Sequence, residues 1–263
     1  MKVASIGLAL RRRRMFEAAD LGVRLVQARS RSVWATLWPA WAAAVAISAL
    51  SATAWWWAPT IVLWWLKPWL DRSILFVLAR AAFREETRFV ELLAAGRTVW
   101  WRDLFNTLTV RRLSPWRAYV QPALQLEGQR GAARRARKLQ ILGPHRGVAM
   151  AVQSAFATVE LCLVFGLGVL PGWLGAGPEG TDWFETVLRG AFEGETETTG
   201  WIEFAIYAAV VLFLEPFFVG AGFAMYLNRR VELEAWDIEQ DFRVAFTARD
   251  EAGPAGATPV GAS

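Results

Sequence analysis

Four long apolar stretches dominate the pattern of hydrophobic and polar positions along the chain. They cover residues 34–57, 58–80, 147–170 and 203–226. At a rise of about 1.5 Å per residue, a helix of about 20 residues crosses a hydrocarbon core of about 30 Å. The pattern therefore predicts an all-α fold, a polytopic membrane helical bundle of about four transmembrane helices with amphipathic surface helices.

The distribution of basic residues predicts how these helices are oriented. Eight basic and two acidic residues precede residue 34, and fourteen basic and five acidic residues lie from residue 80 to residue 146. The loop at 171–202 has six acidic residues and one basic residue. Because segments rich in Lys and Arg stay in the cytoplasm, we expect both termini and the central segment inside a bacterial inner (cytoplasmic) membrane, and the acidic loop outside.

The second apolar stretch is the weakest of the four, because it contains Lys67, Asp71 and Arg72. The basic segments on either side of residues 34–80 require an even number of crossings between them. Two full crossings satisfy this requirement, and so does a re-entrant hairpin.

Shorter patterns divide the rest of the chain. Residues 16–29, 183–192 and 230–246 carry apolar side chains at helical spacing, which predicts amphipathic helices at the membrane surface. The predicted segments are a basic, amphipathic N-terminal segment (1–33), a first transmembrane pair (34–80), a cytoplasmic helical insertion (81–146), a second transmembrane pair (147–226) with its acidic outer loop, a cytoplasmic amphipathic helix (227–249) and a disordered tail (250–263).

Composition supports a lipid environment. Hydrophobic residues make up 55% of the chain, the mean hydropathy is +0.26, and there are 16 tryptophans. A soluble domain of this size cannot bury so much apolar surface, whereas a bilayer accommodates it. Trp34, Trp38 and the triplet Trp55, Trp56 and Trp57 lie at predicted span ends, where Trp rings anchor helices in the interface. A ligand-stacking role for the triplet is the alternative.

Small residues recur every four positions on one face of two predicted spans. They are Ala40, Ala44, Ser48 and Ala52 in the first span, and Gly220 and Ala224 in the fourth. Such faces let helix backbones approach closely in lipid. We therefore expect a tight bundle.

Charged residues inside the predicted spans are the main candidates for a functional site. This intramembrane polar cluster comprises Lys67, Asp71, Arg72, Glu160 and Glu215. Each isolated charge costs roughly 2.5–3.5 kcal/mol at the bilayer centre, so we expect these side chains to pair or to face water. Two interpretations stay open: a polar site for a proton, ion or small substrate, and an ion-paired plug that fixes helix register.

No other residues predict a catalytic or cofactor site. The basic residues Arg130, Arg134, Arg135, Arg137 and Lys138 precede a span, which favours contact with anionic lipid headgroups over nucleic acid. His145 is the single histidine, no zinc, nucleophile or phosphate-loop motif is present, and we expect no metal and no cofactor. The chain is therefore predicted not to be an enzyme.

Three stretches resemble parts of one family. EPFFVGAGFAMYLNRRVELEAWDIEQDFR at 215–243 resembles the closing helix and tail of uncharacterised multi-pass inner-membrane proteins from proteobacteria. WWLKPWLDRSILFVLARAAF at 64–83 and RRLSPWRAYVQPALQLEGQRGAARR at 111–135 are similar to other parts of that group. The closing motif is also loosely similar to the membrane domain attached to some glycerophosphodiester phosphodiesterases, although these residues include no such catalytic domain. The resemblance implies membrane topology and bacterial origin, with no assigned activity.

Two functional hypotheses follow. The first is a non-enzymatic structural or assembly component of a membrane complex, with membrane lipids, a homo-oligomer or other inner-membrane proteins as partners. The alternative is a small transporter or an ion- or proton-coupled channel that uses the intramembrane charges. A membrane-embedded enzyme acting on lipid is a third class, but the sequence offers neither paired carboxylates nor a His-rich cluster at the interface.

Overall fold

The protein is described by a computed structural model that covers residues 13–55, 57–109, 112–175 and 197–234. Within these residues the chain forms nine α-helices and no strands. They are α1 (Met15–Ala28), α2 (Ser30–Leu50), α3 (Ala58–Ala81), α4 (Phe89–Ala94), α5 (Leu104–Leu108), α6 (Arg117–Leu126), α7 (Gly131–Leu142), α8 (Arg146–Gly175) and α9 (Glu197–Glu234). A π-helical turn at Arg97–Trp101 and 3₁₀ turns at Ser51–Thr53 and Gly143–His145 complete them.

The predicted all-α helical bundle is confirmed. Helices α2, α3, α8 and α9 coincide with the four apolar stretches. Among the described residues, three helical segments are long and apolar enough to cross a membrane, Ser30–Thr53, Gly131–Leu170 and Gly200–Glu234. These segments indicate a membrane protein. Helix α3 has 24 residues, long enough to cross, but its charged residues keep it outside this set.

Helix α9 is the centre of the bundle, and α1, α2, α3, α6 and α8 pack around it. Its 38 residues extend about 57 Å, well beyond a hydrocarbon core of about 30 Å. Helices α1 and α2 run antiparallel to it. The amide of Asn228 donates to the Arg13 carbonyl (3.0 Å), and the Trp41 indole donates to the Ala208 carbonyl (3.0 Å).

Two glycines let neighbouring backbones reach α9. A Cβ on Gly22 of α1 would lie 2.1 Å from the Gly220 carbonyl oxygen, and one on Gly222 would lie 2.4 Å from the Ala118 backbone of α6. Gly220 thus makes the close approach that the small-residue pattern predicted. The second close approach uses Gly222, which lies about 200° round α9 from Gly220. Ala224, the other predicted position, is only partly buried.

The amphipathic segment 16–29 forms α1, and its small-residue face packs against α9. The buried positions are Met15, Ala18, Ala19, Gly22 and Val26. The small-residue face of α2 is also buried at Ala40, Ala44 and Ser48, with Ala52 only partly buried.

The tryptophans at the helix ends differ in their surroundings. Trp55 and Trp57 stack with ring centroids 5.6 Å apart and are exposed at the end of the α2–α3 hairpin, whereas Trp38 stacks on Trp41. Trp56 lies outside the described residues. So do the predicted amphipathic helix at 183–192, the part of 230–246 beyond Glu234, and the tail from 250.

Candidate functional site

A network of buried ion pairs joins the three long helices α3, α8 and α9. Lys67 Nζ of α3 lies 2.6 Å from Glu160 Oε2 of α8 and 2.8 Å from Glu215 Oε2 of α9. Glu160 and Glu215 lie close to the midpoints of their helices. The network therefore occupies the middle of the predicted membrane span.

Arg117, at the first position of α6, extends this network. Its Nη2 lies 2.9 Å from Glu215 Oε1 and its Nε lies 3.0 Å from Asp71 Oδ2. Asp71 is 0% exposed, Glu215 3% and Lys67 4%. Three carboxylates and two bases thus form one chain of contacts, Glu160–Lys67–Glu215–Arg117–Asp71.

Helical spacing explains which residues of α3 take part. Lys67 and Asp71 are four residues apart, so they share one face of the helix. Arg72 lies about 100° further round. Its guanidinium donates instead to the carbonyls of Thr98 (3.3 Å) and Val99 and to the Thr107 hydroxyl (2.9 Å). The structure thus brings four of the five predicted cluster residues together and places Arg72 against the central segment.

Sequence reasoning missed Arg117. It is one of fourteen basic residues from 80 to 146, and nothing in its immediate sequence distinguishes it from those at the surface. Its position depends on the packing of α6 against α9, which is a tertiary contact. A weak signal does exist, because without Arg72 the predicted cluster has three carboxylates and only one base.

A polar cavity opens onto the network. Its volume is about 270 Å³, enough to hold several water molecules. Four network residues line it: Lys67, Arg117, Glu160 and Glu215. Other polar lining comes from Arg112, Ser114 and Gln153, and apolar lining includes Trp64, Phe156, Ala157 and Phe218. A small solute in this cavity would therefore contact both charges and aromatic rings.

Arg112 forms one wall of the cavity. Its guanidinium carbon lies 3.6 Å from the centroid of the Trp64 ring, a cation–π contact. The arginine adds a third positive charge beside the network. Together with Lys67 and Arg117 it balances the three carboxylates when all six groups are ionised.

Tyr119 fixes α6 in place behind the network. Its hydroxyl donates to the Ile141 carbonyl of α7 (2.9 Å), and the side chain is almost fully buried. This hydrogen bond ties α6 to α7.

The basic run proposed to contact lipid headgroups divides into two groups. Arg134 pairs with Asp103 (2.9 Å), and Arg137 pairs with Glu127 (2.7 Å) and Glu234 (2.5 Å). Arg130 and Arg135 are exposed, and Lys138 is partly buried. Contact of this run with lipid headgroups stays a prediction.

His145 lies apart from the network. Its Nε2 is 3.3 Å from Glu232 Oε2 near the end of α9. In the described part of the chain, no group of three or more His, Cys, Asp or Glu residues is arranged to hold a metal ion.

No family model matches this sequence, and no match was found among curated proteins or solved structures. The resemblance of residues 215–243 to proteobacterial inner-membrane proteins therefore stays a prediction. The charge network and its cavity are the basis for a functional proposal.

Proposed function

We propose that the protein is a small membrane transporter or ion-coupled channel whose site is the polar cavity beside Lys67, Glu160 and Glu215. The observation that carries this proposal is the cavity of about 270 Å³ that opens onto the buried charge network. An ion-paired plug needs no space around its charges. A binding site does.

The cost of the network supports a functional role. Charges at the bilayer centre are expensive, and intramembrane ionisable residues commonly mark ion or substrate pathways. Even a buried salt bridge is often no more stabilising than apolar residues of the same volume. Five ionisable residues at this position are therefore hard to explain by stability alone.

Glu160 is the residue best placed to exchange a proton or a cation. Its only ion-pair contact among the described residues is with Lys67, and its side chain is 18% exposed. Glu215, in contrast, is held by both Lys67 and Arg117. Protonation of Glu160, or entry of a cation beside it, would leave Lys67 bound to Glu215 alone. The switch between these two pairings is the proposed coupling step.

Proton flux into liposomes tests this proposal. The purified full chain would be reconstituted with the pH-sensitive dye pyranine inside, and a pH gradient would be applied. We expect the wild type to dissipate the gradient faster than empty liposomes, and Glu160→Gln to lose that flux. Glu85→Gln is the matched control, because Glu85 forms an exposed ion pair with Arg80 (3.1 Å) away from the network. Wild-type flux in Glu160→Gln, or no flux above empty liposomes in the wild type, would contradict the proposal.

A second candidate, also non-enzymatic, is a structural or assembly component of a membrane complex. The supporting observation is that each carboxylate of the network has a basic partner within 3.0 Å. Helix α8 also exposes large apolar residues such as Leu161 and Phe165 that another protein could cover. A monomer in mild detergent, with no partner recovered by cross-linking in cells, would exclude this candidate.

A further inference from the structure

The central segment follows α3 from its C-terminal end toward its middle. The Trp100 indole donates to the Ser73 hydroxyl (2.8 Å). One residue earlier on α3, the Arg72 guanidinium donates to the Thr107 hydroxyl (2.9 Å). Residues 97–109 therefore lie beside α3 well inside its length, not beyond its end.

The segment then reaches the level of the charge network. The Arg112 guanidinium lies over the Trp64 ring. Trp64 is about one helical turn before Lys67 in α3. Arg117 touches Glu215, near the midpoint of α9. The side chains at this tip therefore reach the network, while the backbone at Ala118 lies level with Gly222, about 10 Å nearer the C-terminal end of α9 than Glu215.

Helix α6 then runs back along α9 toward the C-terminal end of α3, where the central segment began. At the start of α6, Ala118 packs on Gly222. Just past the end of the helix, the Glu127 carboxylate accepts a hydrogen bond from the Tyr226 hydroxyl (2.9 Å). The path enters and leaves on the same side, which is the topology of a re-entrant hairpin.

Large apolar side chains point outward along this path. Trp101 is 70% exposed, Phe105 78% and Leu113 76%. Ser73 is about 9 Å along α3 from Lys67, whereas the half-thickness of a hydrocarbon core is about 15 Å. Side chains at that depth meet acyl chains and not water, and the apolar surface then carries no hydration penalty.

We propose that residues 97–109 and 112–126 form a re-entrant hairpin within one leaflet of the bilayer, with Trp101 and Phe105 in contact with lipid acyl chains. The leaflet is the one at the C-terminal end of α3, which the arginine distribution predicts to be cytoplasmic. We assign lipid, and not another protein, to these exposed side chains because their depth places them in the hydrocarbon region. The predicted cytoplasmic insertion is thus partly a membrane element.

Two exposed arginines fit this placement. Arg97 and Arg102 flank Trp101 and are both exposed, and Arg102 Nη2 donates to the Gly128 carbonyl of the α6–α7 turn (3.3 Å). Long basic side chains near the interface bury their stems and extend the charged group to the headgroups. The exposed residues of the hairpin therefore combine three large apolar side chains with Thr98, Asn106 and two arginines that can extend to the interface.

Site-directed spin labelling tests the hairpin without reference to transport. In a Cys162→Ser background, which removes the single native cysteine, labels would be attached at Phe105→Cys and Trp101→Cys in the reconstituted full chain. Power-saturation spectra then compare collisions with oxygen, which concentrates in acyl chains, and with a water-soluble nickel chelate. Phe165→Cys on the exposed face of α8 is the lipid reference, and Arg135→Cys on α7 is the aqueous reference.

We expect the labels at positions 101 and 105 to match Phe165→Cys, with high oxygen and low nickel accessibility. Nickel accessibility like that of Arg135→Cys would place the segment in water and overturn the proposal. Low accessibility to both reagents would show cover by a protein surface, such as a second copy of the chain, and would overturn it equally. The oxygen and nickel accessibilities report only where the spin labels lie. This test is therefore independent of whether the protein conducts protons.

Discussion

The indole Nε1 of Trp34 donates a hydrogen bond to the Leu212 carbonyl at 3.2 Å. In a regular helix that carbonyl would accept from the backbone N–H four residues later. That residue is Pro216, which has no N–H. Trp34 of α2 therefore replaces the helical hydrogen bond that Pro216 removes from α9, one residue from the network carboxylate Glu215. The predicted role of Trp34 as an interfacial anchor does not account for this contact.

We expect Trp34→Phe to destabilise the bundle by about 1–3 kcal/mol, because a carbonyl buried in an apolar environment loses its donor. The free energy of unfolding would be measured by titration with SDS in mixed micelles. The substitution also removes packing, so a double-mutant cycle with Pro216→Ala isolates the hydrogen bond. Alanine restores the N–H at position 216, and Trp34→Phe should then cost less. An equal cost in both backgrounds would contradict the assignment.

Gly22→Ala should weaken the contact between α1 and α9, because the added methyl would overlap the Gly220 carbonyl. Overpacking of this kind costs about 1–3 kcal/mol, measured by the same SDS titration. Gly166→Ala on α8 is the matched control, since a Cβ there meets nothing within 4 Å. If the two substitutions had the same effect, the close packing of α1 on α9 would be disproved.

Arg117→Met should be the most destabilising single change among those considered. It leaves Asp71 and Glu215 without their shared guanidinium, and breaking a buried pair by removing one partner costs about 3–5 kcal/mol. Adding Asp71→Asn should restore part of this loss, because the uncompensated charge disappears. Arg135→Met, at an exposed position, should change the unfolding free energy by about 0.5 kcal/mol or less. No recovery in the Asp71→Asn double variant would argue against the ion pair.

The helices were predictable because a bilayer imposes a length and an apolar composition that the sequence displays directly. Helices α2, α3, α8 and α9 match the apolar stretches, including α3 despite its charges. The close contacts at Gly22 and Gly222 and the use of Trp34 as a donor were not predictable. Each of these contacts depends on which helices pack against each other, and a single sequence does not reveal the packing partners.

The candidate site was predictable in part for a physical reason. Charges are so costly at mid-span that Lys67, Asp71, Glu160 and Glu215 had to find partners. Arg72 was assigned to the same cluster because it is also a charged residue inside the second predicted span, although Asp71 and Arg72, as adjacent residues on a helix, face different directions. Arg117 and the cavity were missed because both depend on how the central segment packs against α3, α8 and α9, and the basic composition of that segment resembles that of an ordinary cytoplasmic loop.

Water should reach the charge network through the cavity, and cysteine labelling at the cavity wall measures this. Ala157 of α8 lines the cavity, one turn from Glu160, whereas Val159 is exposed on the opposite side of the same helix, about 200° round from Ala157. In a Cys162→Ser background, each position would be changed to cysteine in the reconstituted chain and treated with a water-soluble, positively charged methanethiosulfonate. We expect Ala157→Cys to react readily, since the reagent requires a hydrated thiolate, and Val159→Cys in the lipid to remain largely unreacted. Equally slow labelling at both positions would show a dry cavity and contradict the proposed site.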